Sequence, residues 1–563
     1  MNPRSPLRIA TRSSALAREQ AQRVADLLAA AVPGLAVELL TVNTEGDRDK
    51  TSPLTAIGGR GVFTSGVQEA LHLGLAEIAV HSAKDLPSEQ TPNLVIAAFP
   101  ERLDPRDVLV SRHGVGLQHL PPNPRIGTSS QRRAAQVLSI RPDAVIVDLR
   151  GNIDTRLQKA HTDAYDAIVI AAAGLTRMGW DDAITEYLPL DVFVPSPGQG
   201  ALAVEACADD HDTIALLASI DNPAVRAEVI AERAFLAAIG AGCTKPVGAI
   251  AEGGVLRVFA ATEDLAQPTT VQHELVGGAA ISVARGLAAQ MTAATDSDPR
   301  IELAHERVLV TRPLDQAGPL MEAVIAAGGE AVVAPAISIT LVAEHDPMFL
   351  AAQNRVHRGD VDWVLFTSAN GVRSFVRGLD LAAVPASVRW GALGTATAAA
   401  MREHGIVPTT QATMASASGL AQAIGDGGVE GLRIIAPQGN LALARPDLAG
   451  NLRSAGAEVE VFEAYQTHVA SEADFALVQR IREKPVTVVT LTSPSAVNGL
   501  LNLLDGSWDA VGTARVVCVG ETTAQAARDA RLGVSVVAAE SSVPGLLDAI
   551  RRASRTAPTA AGT

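Results

Sequence analysis

AIVIAAAGL, residues 167–175, decides the fold class. It opens with an unbroken apolar run, which reads as a strand covered on both faces. LVIAAFP (94–100) and AVIVDL (144–149) repeat the pattern, while ALAREQAQRVADLLAA (15–30) and RAEVIAERAFLAAIG (226–240) have helical spacing. Strand-like runs joined through helices predict α/β architecture with open, doubly wound parallel sheets.

The 563 residues are 47% hydrophobic and only 3% aromatic. That length suggests about three to five domains, and the abundance of small residues suits helices lying close on a sheet. A formal net charge of -15 argues against nucleic-acid or anionic-membrane partners. Cys207, Cys243 and Cys518 form no CxxC pair, so neither a zinc site nor a disulfide framework is signalled. Such sparse cysteine usage fits a reducing compartment. The N-terminus, MNPRSPLRIATRSS, lacks the apolar core of a secretion signal. No apolar run approaches the ~18 residues of a membrane span, so a cytoplasmic location is expected. TDSDPRIELAHE (295–306) breaks the α/β pattern, and RVLVTRP (307–313) looks like a fresh first strand. The main boundary is placed between them, and the tail 551–563 is expected to be disordered.

Three segments carry arginines where a strand passes into a helix: IATRSSALA (9–17), IGTSSQRRAAQ (126–136) and LRGNIDTRLQKA (149–160). Arg12, Arg132, Arg133, Arg150 and Arg156 lie beside hydroxyl, Asn or Asp residues suited to capping. Cations at a helix start oppose the macrodipole, at ~0.3–1 kcal/mol each. A bound carboxylate or phosphate reverses that sign, so the segments read as anion cradles. Arg177 in GLTRMG is a fourth candidate. IAVHSAKDLP (78–87) ends a strand on Lys84 and Asp85, where α/β sheets place their chemistry. Asp85 could move protons or stabilise a transient cation. Lys84 could pair with an anionic substrate, although a Lys-Asp pair before Pro is also an ordinary surface turn. Cys243, in the Gly-rich AIGAGCTKPVG (238–248), could be a covalent attachment point or a small buried hydrophobe. Cys518 inside a strand and Cys207 after a helix-like segment read as buried hydrophobes.

Taken in order, TRSSALA, NTEGD (43–47), AVHSAKDLP, ERLDPRD (101–107), IGTSSQRRAAQ, RGNIDTRL, AAAGLTR (171–177), SPGQGALAVE (196–205) and ERAFLAAIGAGC (232–243) resemble hydroxymethylbilane synthase, also called porphobilinogen deaminase. The resemblance covers about residues 5–295. It implies head-to-tail joining of four porphobilinogen units with loss of ammonia, without a metal. It makes Asp85 the catalytic acid, assisted by Lys84. Cys243 would bear the covalent dipyrromethane cofactor as a thioether. Arg12, Ser14, Arg132, Arg133, Arg150, Arg156 and Arg177 would hold substrate and cofactor carboxylates, and Thr128, Ser129 and Ser130 would supply hydroxyl and backbone donors. The implied architecture has two α/β domains like those of periplasmic binding proteins, 1–100 with 196–220 and 101–195. A small α+β domain, 221–295, carries the cysteine. The family's GGKGLFTKE reads here GGRGVFTSG (58–66), with Arg60, Ser65 and Gly66 substituted, which could alter a lid over 45–62.

After a linker, 296–306, residues 307–550 resemble uroporphyrinogen-III synthase through RVLVTRP, FTSANGV (366–372), FEAYQT (462–467), LTSPSAV (491–497) and VGETTAQAA (519–527). LFTSANGV (365–372) is similar to LTSPSAV, and ALGTATAAAM (392–401) to CVGETTAQAA (518–527), which suggests two comparable α/β domains. The implied reaction closes hydroxymethylbilane to a ring while inverting its last pyrrole. Tyr465 matches the family's candidate acid, with a core or hinge aromatic as the alternative. Thr367, Ser368, Ser493, Ser495, Thr522 and Thr523 would offer carboxylates N–H and hydroxyl donors without fixed charges, although capping alone would explain Thr522 and Thr523. The expected protein is a bifunctional, monomeric tetrapyrrole-making enzyme. The alternatives are a deaminase with a silent or ligand-sensing second half, and a two-lobed anionic-solute-binding protein.

Overall fold

The computed structural model describes residues 6–42, 65–240, 246–262, 265, 267–275, 278–295, 302–412, 424, 428–443 and 447–555. Cys243, Arg60 and the segment 45–62 lie outside the described residues. The chain divides into two compact units, Met1–Arg300 and Ile301–Thr563.

The first unit contains two five-stranded sheets built to one plan. One runs Val37–Val42, Leu7–Arg12, Ile78–Ser82, Leu202–Cys207, Leu94–Ala98; the other runs Val145–Val147, Arg125–Gly127, Ala167–Ala171, Asp107–Ser111, Glu186–Tyr187. The apolar runs do form strands, and Ile168 and Val169 are fully buried, but Val145–Val147 is an edge strand with Val145 exposed. The expectation of wholly parallel sheets is corrected. Leu202–Cys207 runs antiparallel to both of its neighbours, and so does Asp107–Ser111. Each of these strands enters its sheet from the other domain, so no crossover helix dictates a parallel direction. Cys207 ends a strand instead of following a helix. A three-stranded antiparallel meander, Val247–Glu252, Val255–Ala260 and Thr269–Glu274, packs with helices Pro223–Ala238 and Ala280–Thr295.

The second unit holds a parallel sheet, Glu330–Val333, Arg307–Val310, Val488–Leu491, Arg515–Cys518, Val536–Val537. Its second sheet runs Glu458–Val469, Arg433–Gly439, Trp363–Phe366, Arg389–Ala392, Thr410–Gln411 in parallel, and Ile337–Leu341 adds an antiparallel edge beside Glu458–Val469. The five parallel strands correspond one to one, but the chain enters the two sheets at different strands. The repeated motifs fall at matching places. Ser368 and Ser493 both cap helices, with φ/ψ of -153/155° and -160/159°. Gly394 and Gly520 precede the next helix in each sheet.

Two expected boundaries shift. Within 296–306, Leu303 is fully buried, and Glu306 bonds Arg515 at 2.6 Å and belongs to the second unit. Helix Val543–Ser554 continues into the expected tail, because Ala553 completes the buried stripe of Leu546, Ala549 and Ile550.

Candidate active site

Parallel strands of the first unit deliver the candidate residues at their C-terminal ends. Arg12 ends Leu7–Arg12, and Ser14 caps the next helix by accepting the Ala17 N–H at 3.3 Å. Ile78–Ser82 leads into a single 3-10 turn, Ala83–Asp85, that carries Lys84 and the exposed Asp85. Arg125–Gly127 leads to Thr128, Ser129 and Ser130, and Ser130 caps the helix bearing Arg132 and Arg133. Val145–Val147 leads to Arg150 and then, past Asn152, to Arg156.

Arg132 and Arg133 are not solvent-facing cradles. They are 4% and 7% exposed and converge on Asp107, which is fully buried. Arg132 Nη1 donates to Asp107 Oδ2 at 2.7 Å, and Arg133 donates to Oδ1 through Nη2 at 2.7 Å and Nε at 3.0 Å. Burial alone would raise the Asp107 carboxyl. The charges of Arg132 and Arg133, with hydrogen bonds from Arg132 and Gln199, hold it well below the usual carboxylate range. Gln199 continues the network: its Nε2 donates to Asp107 Oδ1 at 3.0 Å, and its Oε1 accepts from Lys84 Nζ at 3.3 Å.

Asp107 does not neutralise the site. Burial, then the neighbouring Arg133, lowers the Lys84 ammonium to about 8, while Asp85 and Asp107 oppose the shift. Burial, then Arg133, lowers Arg156 to about 10, with Asp85 and Asp148 opposing. Lys84 and Arg156 each feel Arg133 on one side and Asp85 on the other, so cations gather beside Asp85 in a chain of net charge -15. This is the electrostatic setting for a polycarboxylate.

The hydroxyls mostly fasten the loops. Ser129 Oγ donates to Leu149 O at 2.5 Å, Ser130 accepts from Arg133 N at 3.4 Å, and Thr128 Oγ1 accepts from Ser130 N at 3.1 Å. Arg150 reaches Asp148 at 3.2 Å. The helix-start argument does not hold for Arg177, which lies in the last turn of Ala172–Met178. Its side chain is 3% exposed and donates to Gly200 O at 2.7 Å, and burial lowers it to about 10.

Asp107, Gln199 and Glu232 were missed as functional residues, although all three lie in motifs already quoted. Glu232 is fully buried and accepts from Arg102 Nη1 at 2.7 Å, Gly198 N at 2.6 Å and Ala251 N at 2.8 Å. The next residue, Arg233, donates to Pro87 O at 2.6 Å, just behind the Lys84–Asp85 turn. Gly198, at φ +73°, lies so close to this turn that a Cβ would sit 3.1 Å from Lys84 N. The signal was available in principle, because buried arginines require a counterion, but burial cannot be read from the motif.

In the second unit Tyr465 and Ser368 meet. Ser368 Oγ accepts the Gly371 N–H at 3.1 Å and donates to Tyr465 Oη at 3.0 Å. Burial raises the Tyr465 phenol, and the Ser368 bond offsets this in part. The ring lies against Gly439, where a Cβ would sit 2.5 Å from Cζ. Thr367 is half-buried beside Ser368. Ser493 and Ser495 approach to 3.4 Å on their own helix. No described hydrogen bond joins them, Thr522 or Thr523 to Tyr465. Capping does not explain the two threonines, because Gly520 holds the cap position; Thr522 is exposed and Thr523 buried.

Residues 7–215 match the family model described as porphobilinogen deaminase, dipyromethane cofactor binding domain, and residues 319–548 match that of uroporphyrinogen-III synthase HemD. A porphobilinogen deaminase of Roseiflexus castenholzii is 50% identical over 258 residues, which is 46% of this chain and 85% of that one. One of Syntrophus aciditrophicus is 43% identical over 303 residues, 53% of this chain and 98% of that one. Among solved structures, a mutant uroporphyrinogen III synthase of Thermus thermophilus is 21% identical with a TM-score of 0.33, covering 44% of this chain and 99% of its own.

Proposed function

The chain belongs to the porphobilinogen deaminase family and carries a uroporphyrinogen-III synthase domain behind it, and on that premise we propose that its two units perform consecutive reactions. The first condenses four porphobilinogens to hydroxymethylbilane with loss of ammonia; the second closes that product to uroporphyrinogen III. The observation that carries the first half is the gathering of Lys84 and Arg156 beside the exposed carboxylate of Asp85, backed by Arg133, at the strand ends of the first unit.

In this reading Lys84, Arg12, Arg150 and Arg156 bind the acetates and propionates, with Arg133 held behind them on Asp107. Arg132 and Arg177, nearly buried, back them from inside. Asp85 stabilises the cation left when ammonia departs and moves the proton involved. The under-neutralised cations fit the carboxylates of a dipyrromethane as well as those of substrate. That group, attached at Cys243, supplies the pyrrole carbon on which the chain starts. Asp107 keeps Arg132 and Arg133 together, and Gln199 orients Lys84. In the second unit Tyr465 donates a proton to the leaving hydroxyl, while Ser368 holds its oxygen. Catalysis there is mainly positioning of a folded substrate.

No helix among the described residues is long and apolar enough to cross a membrane. We place the enzyme in the cytoplasm as a monomer, with porphobilinogen and hydroxymethylbilane as its small-molecule partners.

Incubation of the purified chain with porphobilinogen, oxidation and separation of the uroporphyrin isomers tests the proposal. Predominantly type III product supports both activities. Predominantly type I removes the second. No porphyrin, from protein whose intact mass shows the dipyrromethane, removes the first.

A further inference from the structure

The helix starts of the second unit were expected to bind carboxylates without fixed charge. The structure adds two guanidinia nearby: Arg312 just before helix Leu314–Ala326, and Arg373 in the last turn of helix Ala369–Phe375. Arg312 lies two residues past strand Arg307–Val310 and is half-buried, yet makes no ion pair or hydrogen bond to any described residue. Arg373 is half-buried on the helix capped by Ser368; its Nη1 donates to Asn370 Oδ1 at 3.1 Å, and it has no described acidic partner. Gln316 Nε2 donates to the same Oδ1 at 3.1 Å, which pins helix Leu314–Ala326 to helix Ala369–Phe375. That bond brings the Arg312 loop beside Arg373. Ser368, at the head of the same helix, holds Tyr465.

Like charges brought together and partly desolvated are unfavourable by themselves. Burial, and after it the charge of Arg373, lowers Arg312 from its ordinary value. The chain holds 61 acidic residues against 46 basic ones, so counterions are plentiful elsewhere. Guanidinia without a described acidic partner, one of them on the helix whose cap Ser368 bonds a candidate proton donor, mark a place where an anion arrives with the ligand.

We infer that Arg312 and Arg373 form a paired carboxylate anchor that grips side-chain carboxylates of the linear tetrapyrrole and presents its hydroxymethyl end to Tyr465. This rests on the reading of the second unit as a cyclase. The two residues are positioning residues for substrate, and the pair gives that unit the fixed charge its hydroxyl-rich helix starts lack.

The test uses the full chain and its Arg312→Gln, Arg373→Gln and Arg312→Lys variants, with steady-state cyclisation of hydroxymethylbilane as the readout. A charge-assisted hydrogen bond lost on one side predicts a KM raised about 10- to 100-fold in each Gln variant. kcat should stay within about threefold, Arg312→Lys should fall between, and the porphobilinogen-consuming rate should be unchanged. Unchanged KM in both Gln variants overturns the inference, as does a fall in kcat alone. If Arg312→Gln loses the thermal transition of the second unit, Arg373→Gln and Arg312→Lys decide by the same criterion. If the wild-type chain forms no type III product, the cyclase reading fails on its own. The anchor is then judged by fluorescence titration with uroporphyrin III: saturable quenching that weakens in the Gln variants supports it, and equal quenching in all four proteins overturns it.

Discussion

Asp107 is the counterion of two buried arginines, and its removal would leave both guanidinia desolvated without compensation. Loss of one partner from a buried ion cluster typically costs about 3–5 kcal/mol. Asp107→Asn is therefore expected to destabilise the first unit by about that much in urea unfolding, and to lower kcat/KM because Arg132, Arg133 and Gln199 lose their common anchor. Lys84 gives a second prediction. Its ammonium titrates at about 8, so rising pH removes its charge from the free enzyme through that value. Carboxylate binding favours the charged form. kcat/KM for porphobilinogen should consequently fall above about pH 8, and in Lys84→Arg this descending limb should move to higher pH whatever the absolute rate. An unmoved limb would exclude Lys84 as its source. At this scale the segments 126–136 and 78–87 located the cationic region, because residue type and order survive without coordinates. What they could not separate was an arginine that faces ligand from one that faces Asp107, since that depends on which side of a helix meets the neighbouring strand.

Helix caps carry the symmetry of the second unit. Ser368 and Ser493 occupy equivalent turns and accept the same kind of N–H, at 3.1 Å in each case. Ser368→Ala and Ser493→Ala should each cost about 0.5–2 kcal/mol in the thermal stability of that unit. Only Ser368→Ala should also lower the fraction of type III product, because Ser368, and not Ser493, has a described hydrogen bond to Tyr465. Equal effects of both substitutions on the isomer ratio would exclude that role. The repeated motifs LFTSANGV and LTSPSAV made the similarity of these elements visible in the sequence. The permuted chain entry was hidden, since strand pairing across some 180 residues, such as Val308 with Val488, leaves no local pattern.

At the scale of the whole chain, each unit has its own apolar clusters, with Leu309, Val489 and Leu500 in one core and Ile9, Ile78 and Val204 in another. Separately expressed residues 1–300 should convert porphobilinogen mainly to type I uroporphyrin after spontaneous closure. Addition of residues 301–563 should restore type III, at a lower fraction than the intact chain gives, because covalent linkage raises the local concentration of the cyclase. An equal fraction in both formats would show that linkage has no kinetic effect. The sequence by itself determined the α/β class, the order of two enzyme-like segments and the cationic character of the first candidate site, because unbroken apolar runs and ordered polar motifs are local properties of the chain. Only the tertiary structure decided the strand directions, the counterion of Arg132 and Arg133, the pairing of Tyr465 with Ser368 and the meeting of Arg312 with Arg373. Each of these joins residues far apart in the chain, and burial, which sets the energy of every charge in them, exists only after the sheets and helices have packed.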